Sequence, residues 1–157
     1  MGTGHRTAQT GSASTLGVAM LVDDDCMILE STTRLLSALG FEVIEAIDGQ
    51  DAVEKYRACP KPIAFVMMDI CMPRMGGLEA AGVIREFDPS AKIILSSGFT
   101  DQPLAGAKAD AFLPKPYTGR ALYEIIQRVI QGEVKSCLMR LGVYGTAAND
   151  QYRMLSP

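Results

Sequence analysis

The chain has 157 residues, of which 15 are basic and 18 acidic, giving a net charge of −3. This length is typical of one domain with tails, and the slight acidity argues against a nucleic-acid-binding surface. None of its apolar runs approaches the roughly 20 residues needed to cross a membrane. Its four cysteines form no C-x-x-C pair, which argues against structural zinc and favours a reducing, cytoplasmic location.

Short apolar runs alternate with segments of helical periodicity, after a Gly/Ser/Thr-rich and flexible tail at residues 1–16. Continuous runs such as residues 18–22 are typical of strands buried on both faces of a sheet. The predicted strands cover residues 18–22, 41–46, 63–68, 92–96 and 110–114. The predicted helices cover residues 26–39, 48–58, 76–87 and 119–131. The predicted inward stripe of the first helix is Ile28, Leu35, Leu36 and Leu39.

Repeated strand–helix units predict an α/β fold with a doubly wound parallel sheet. We assign it the flavodoxin-like (βα)5 form, in which the strand order is 2-1-3-4-5. Its crossover connections should be right-handed. Ligands of such sheets bind beyond the carboxyl ends of the strands, where the strand order reverses, which here lies between the first and third strands. The domain is predicted to span residues 17–131, followed by a C-terminal tail at 132–157.

Three carboxylates are predicted to converge at that edge of the sheet. Asp23 and Asp24 follow the first strand, and Asp69 directly follows the third. Because neighbouring carboxylates repel one another, the cluster favours a hard divalent cation with oxygen ligands. Further polar groups end the fourth strand and follow the fifth, namely Ser96, Ser97 and Lys115. A carboxylate nucleophile, a metal pocket, an ammonium and a hydroxyl together fit phosphoryl transfer.

Several stretches resemble the receiver domain of bacterial two-component response regulators, in that family's order. They are LVDDD at 21–25, DG at 48–49, MMDICMPRMGGLE at 67–79, IILSSG at 93–98 and FLPKPY at 112–117. The amino-acid sequence between residues 56 and 99 is especially similar to that of receivers attached to hybrid sensor kinases. The resemblance implies phosphorylation by a sensor histidine kinase or a phosphotransfer protein, and an output through a downstream protein partner.

The resemblance also implies a role for each matching residue. Asp69 would be the phospho-acceptor, assisted by Lys115 and by Ser97, with Ser96 as a rival for the hydroxyl. Mg²⁺ would be held by Asp23, Asp24, Asp69 and the backbone carbonyl of Cys71. Ser97 and Phe112 would form the switch, and the peptide bond between Lys115 and Pro116 would be cis. Asp25 is assigned to capping the first helix, because aspartate accepts hydrogen bonds from unpaired N–H groups there.

Two segments depart from the family pattern. Only eleven residues, 99–109, separate Gly98 from Asp110, and they contain Pro103 and Gly106, which disfavour a regular helix. The fourth helix is therefore predicted to be shortened or irregular. The C-terminal tail could include a short helix but is too short for an output domain with a linker.

The resemblance to receivers implies a phosphorylatable signalling domain rather than an enzyme, whose own catalysis would be limited to slow self-dephosphorylation. Cys71 and Phe99 occupy the positions that flank the hydrolytic water in receivers, and neither side chain is a good hydrogen-bond partner. One alternative is a phosphatase of the haloacid-dehalogenase type, whose D-x-D-x-T pattern would use Asp23 and Asp25 but has Met27 in place of threonine. The other alternative is a pseudo-receiver, an interaction module that is never phosphorylated.

Overall fold

A computed structural model describes residues 15–98 and 106–131 of the chain. Five parallel strands form one sheet in the order β2-β1-β3-β4-β5. The strands are β1 Gly17–Val22, β2 Phe41–Ala46, β3 Ile63–Asp69, β4 Ile93–Ser97 and β5 Ala111–Pro114. The helices are α1 Cys26–Ala38, α2 Gly49–Ala58, α3 Gly77–Phe87 and α4 Gly119–Gln131. The predicted flavodoxin-like fold and strand order are confirmed, and each of these elements begins and ends within one residue of its prediction.

The connection between β4 and β5 is described only in part. Residues 106–110 form no helix, and residues 99–105, where the rest of a shortened helix was predicted, lie outside the described residues. The same holds for residues 1–14 of the N-terminal tail and for the whole segment 132–157.

The sheet divides the core into two clusters. Alternate residues of β1 and β3 face opposite sides: Ala19 and Phe65 pack with α1 and α4, whereas Met20 and Val66 pack with α2 and α3. This two-sided burial explains why these strands are continuous apolar runs. None of the described helices has the length and apolar character that crossing a membrane requires.

Helix α1 is rotated relative to its predicted orientation. The buried residues are Leu29, Thr32 and Leu36, whereas Leu35 is 41% exposed. The prediction is confirmed for Leu36 and for Leu39, which packs against the same core cluster, and is wrong for Leu35, so the buried face is displaced from the predicted stripe. One physical reason is that Thr32 meets Tyr117, with 3.0 Å between Thr32 Oγ1 and the Tyr117 hydroxyl, so a polar residue lies at the centre of the buried face.

A buried ion pair anchors the start of β5. Asp110 accepts a hydrogen bond from the Ile93 backbone N–H at 2.8 Å, and its own N–H donates to the Ile93 carbonyl at 2.8 Å. Its carboxylate also pairs with Arg85 from α3, and both side chains are largely buried. These contacts fix the end of the short connection against β4 and α3.

Candidate functional site

Three charged side chains meet at the carboxyl edge of the sheet. Asp23 follows β1, Asp69 is the last residue of β3, and Lys115 follows β5. The Nζ atom of Lys115 lies 2.6 Å from Asp23 Oδ2 and 2.8 Å from Asp69 Oδ1. Both carboxylates are buried and Lys115 is mostly so. Buried charges are stable only when they are paired. Here one ammonium contacts two carboxylates, and its single positive charge balances only one of them.

Burial and pairing act against each other at these groups. Burial is the largest influence on the pKa of Asp23 and raises it above its ordinary value, although the hydrogen bond from Lys115 acts in the opposite direction. Burial alone would lower the pKa of Lys115, but hydrogen bonds to Asp23 and Asp69 outweigh it, so this pKa lies above its ordinary value. Lys115 therefore provides a fixed positive charge at neutral pH.

The backbone around Asp69 forms a tight turn. The Cys71 N–H donates to Asp69 Oδ2 at 2.9 Å, and the Ile70 N–H donates to the Ser96 carbonyl at 2.9 Å. Gly77 begins α3 directly behind this turn, where a Cβ atom would lie 2.1 Å from the Asp69 carbonyl oxygen. The Asp69 carboxylate is thus held by its own turn on one side and by Lys115 on the other.

The remaining predicted metal ligands are arranged differently. Asp24 and Cys71 are exposed, and Asp23 Oδ1 accepts the Asp25 N–H at 3.0 Å. Within residues 15–98 and 106–131, no group of three or more Asp, Glu, His or Cys side chains is gathered closely enough to hold a metal ion. The donor set of carboxylate and carbonyl oxygens nevertheless fits a hard cation such as Mg²⁺. In this arrangement Lys115 supplies the charge between the two buried carboxylates.

The two candidate hydroxyls end β4. Ser96 Oγ donates to the Leu113 carbonyl at 2.9 Å. Ser97 is buried, and its carbonyl accepts the Lys115 N–H at 2.9 Å. Phe112 is half-buried and packs against the core cluster on the α2 and α3 side. The Lys115–Pro116 peptide bond is cis.

Asp25 caps α1, as its position before the helix predicts. Its carboxylate accepts the Met27 N–H at 2.8 Å and also the Ile28 N–H. It is exposed and does not contribute to the pairing of Asp23 with Lys115.

Sequence reasoning missed two contacts beside this site. Tyr117 follows the cis-proline and ties the Lys115 segment to α1 through Thr32. Arg74, in the loop after Asp69, pairs with the buried Asp48 at the start of α2. The DG and MPRMGG stretches contain both residues of this second pair, but no local pattern indicates that residues 26 positions apart meet.

Comparison with known proteins identifies the family. The response regulator receiver domain model matches residues 19–127. Chemotaxis protein CheY of Thermotoga maritima is 35% identical over 122 residues, which is 73% of this chain and 98% of that protein. Sensor kinase CckA of Brucella abortus is 30% identical over 129 residues, covering 80% of this chain but 13% of the kinase.

A solved structure supports the same assignment. Response regulator TrrA from Thermotoga maritima, crystallised in complex with Mg²⁺–BeF, has a TM-score of 0.67 and 30% identity, covering 73% of this chain and 99% of that one. The resemblance read from the sequence is confirmed by these findings. The chain belongs to the response regulator receiver domain family, whose members accept a phosphoryl group in two-component signalling.

Proposed function

We propose that Asp69 accepts the phosphoryl group, and that the donor is the phosphohistidine of a sensor histidine kinase or of a phosphotransfer protein. One observation carries this assignment: Lys115 Nζ lies within hydrogen-bonding distance of Asp69 and Asp23 together. Attack by a carboxylate oxygen of Asp69 breaks the N–P bond of the donor and forms an acyl phosphate. The neighbouring ammonium then neutralises phosphoryl oxygens as charge develops on them.

The same residues suit a magnesium ion. Asp23, Asp24, Asp69 and the Cys71 carbonyl would hold it, and when bound it would stabilise charge on the phosphoryl oxygens as a Lewis acid. Asp23 is already fixed by the Asp25 N–H and by Lys115. The carboxylate of Asp23 is thus held in place as a ligand, while the ammonium of Lys115 remains beside Asp69, the nucleophile.

The switch would use Ser97 and Phe112. Ser97 is buried at the end of β4, and its carbonyl accepts the N–H of Lys115, which supports Ser97 as the hydroxyl that contacts the phosphoryl group. Phe112 is half-buried and could move inward when Ser97 does. This change would alter the face formed by β4 and β5, where a downstream protein partner would bind. Such a signalling cycle fits a cytoplasmic protein.

The first prediction tests the acceptor. Wild-type protein incubated with acetyl phosphate and Mg²⁺ should gain the mass of one phosphoryl group, and Asp69→Asn should lose essentially all of that gain, because an amide is not a comparable nucleophile. Asp25→Asn is the matched control, since asparagine also caps helices and Asp25 lies outside the Lys115 pairing. Intact-protein mass spectrometry gives the answer. An equal gain in Asp69→Asn would rule out this acceptor.

The competing activity is not favoured by the described residues. A phosphatase of the haloacid-dehalogenase type needs the second aspartate of its motif at the reacting centre. Asp25 stands at that position, but it is exposed and its carboxylate caps α1. The pairing of Asp69 with Lys115 also argues against a pseudo-receiver that is never phosphorylated.

The second prediction concerns the lifetime of the acyl phosphate. Cys71 is exposed beside Asp69, and its thiol is a weak hydrogen-bond partner for an attacking water. Cys71→Asn should therefore speed dephosphorylation by on the order of tenfold, because positioning the water is a large part of such catalysis. Decay of the phosphorylated mass after removal of the donor measures the rate. Phe99, on the other side of the expected water, lies outside the described residues.

A matched control separates this effect from a general change at cysteine. Cys59→Asn alters a cysteine remote from the carboxyl edge, since it lies at the C-terminal end of α2, and should leave the decay unchanged. Equal decay in Cys71→Asn and wild type would show that position 71 does not control the lifetime.

A further inference from the structure

The loop after Asp69 is fastened to the start of α2. Residues 70–76 connect β3 to α3 and include Cys71. The Gly49 N–H donates to the Met75 carbonyl at 3.0 Å, and the Arg74 guanidinium pairs with the Asp48 carboxylate through two nitrogens. A Cβ at position 49 would lie 2.6 Å from the Met75 carbonyl oxygen, so this close approach needs glycine there.

Arg74 adopts a backbone conformation that arginine rarely takes. Its φ is 63°, and among the described residues it is the one non-glycine residue with positive φ. This region is unfavourable for residues with a side chain, apart from asparagine and aspartate to some extent. Such a conformation persists only when surrounding contacts determine it. The ion pair with Asp48 is a contact of this kind.

The Asp48 carboxylate that pairs with this guanidinium is buried and held in place by a helix cap. It is 1% exposed; its Oδ1 accepts the Asp51 N–H at 2.9 Å as the cap of α2, and its Oδ2 faces Arg74. A buried carboxylate needs a compensating charge. The Arg74 side chain is 55% exposed. The ion pair therefore joins an arginine of a surface loop to a buried carboxylate.

We propose that Asp48 and Arg74 are positioning residues for metal binding: their ion pair holds the loop so that the Cys71 carbonyl faces the Mg²⁺ site. This inference rests on the proposed function, in which that carbonyl is a ligand. The ends of the loop are fixed by backbone bonds, Ile70 N–H to Ser96 and Gly77 N–H to Ile70. The ion pair and the hydrogen bond from Gly49 to Met75 hold its middle. Residues that support ligands typically affect metal affinity by about 10–100-fold.

The third prediction separates positioning from stability with two variants at one residue. Arg74→Ala and Arg74→Gly both remove the ion pair, but only glycine relieves the positive φ. Both should bind Mg²⁺ about tenfold more weakly than wild type, while Arg74→Gly unfolds at a higher temperature than Arg74→Ala. Asp48→Asn keeps the helix cap and should weaken Mg²⁺ binding similarly, and Arg74→Lys should restore part of the affinity.

Isothermal titration of the purified full chain with Mg²⁺ alone gives the affinity, and amide exchange without Mg²⁺ reports on residues 70–77. Exchange there should be faster in every variant that loses the pair. Arg34→Ala, which removes an arginine paired with Glu30 on the exposed face of α1, should match wild type in both measurements.

The proposal would be overturned by wild-type affinity in Arg74→Gly, by affinity that follows the unfolding temperature rather than the ion pair, or by a wild-type protein that binds no Mg²⁺. The proposed acceptor is tested independently by the mass gain at Asp69. Phosphorylation of the wild type with unchanged Mg²⁺ affinity in the variants would reject the positioning role alone.

Discussion

Replacing Gly77 by alanine should destabilise the protein by about 3 kcal/mol, the upper part of the usual range for overpacking. A Cβ at this position would lie 2.1 Å from the Asp69 carbonyl oxygen and 3.0 Å from its carbonyl carbon. Both atoms belong to backbone, which cannot move aside as a flexible side chain would. The start of α3 or the end of β3 must therefore shift, and Asp69 with it.

Gly82 provides a matched control in the same helix. A Cβ there would meet nothing within 4 Å, and alanine is favoured over glycine in a helix by roughly 0.5–1 kcal/mol. Gly82→Ala should therefore raise the free energy of unfolding, measured by urea denaturation, while Gly77→Ala lowers it. Phosphorylation by acetyl phosphate should slow in Gly77→Ala alone. A Gly77→Ala protein as stable as wild type would contradict the described approach of α3 to Asp69.

The sheet and the meeting of Asp23, Asp69 and Lys115 could be predicted because both depend on local signals. A strand buried on two faces is a short continuous apolar run, and the polar residues that follow such runs must lie at one edge of a parallel sheet. The fold family then supplies the strand order. These inferences need no knowledge of side-chain contacts.

The orientation of α1 could not be predicted in the same way. Apolar residues occupy adjacent positions at Ile28–Leu29 and Leu35–Leu36, so two neighbouring stripes both satisfy the helical period. The structure buries Leu29 and Leu36 and places Thr32 between them. The hydroxyl of Tyr117, which is distant in sequence, gives that polar residue a hydrogen-bond partner within the buried face.

The contact between Asp48 and Arg74 was missed for a different reason. It requires positive φ at an arginine, where sequence rules expect glycine, asparagine or aspartate. The loop thus makes a contact with a charge on another element, and the sequence of the loop alone does not indicate that contact.

The buried ion pair of Asp110 and Arg85 should give the second large loss of stability. Replacing one partner of a buried pair leaves an uncompensated charge, at a cost of about 3–5 kcal/mol. Arg85 also donates to the Pro89 carbonyl at 2.8 Å, but its Nε has no hydrogen-bond partner among the described residues. Without the Asp110 carboxylate, the guanidinium would therefore keep only a carbonyl contact and no counter-charge. Asp110→Ala should be the most destabilising change, because the Ile93 N–H loses its acceptor as well.

A double variant separates the cost of the unpaired charge from the cost of the lost hydrogen bond. Asp110→Asn keeps an oxygen for the Ile93 N–H but leaves Arg85 unpaired, and adding Arg85→Met removes that charge, so the double variant should recover most of the loss. Glu30→Gln breaks the exposed pair with Arg34 and should cause no measurable change in the free energy of unfolding. If the double variant is no more stable than Asp110→Asn, the loss comes from the hydrogen bonds of Asp110 and not from a buried charge. In that case the short connection before β5 is held by its backbone pairing with Ile93, and α3 contributes packing alone.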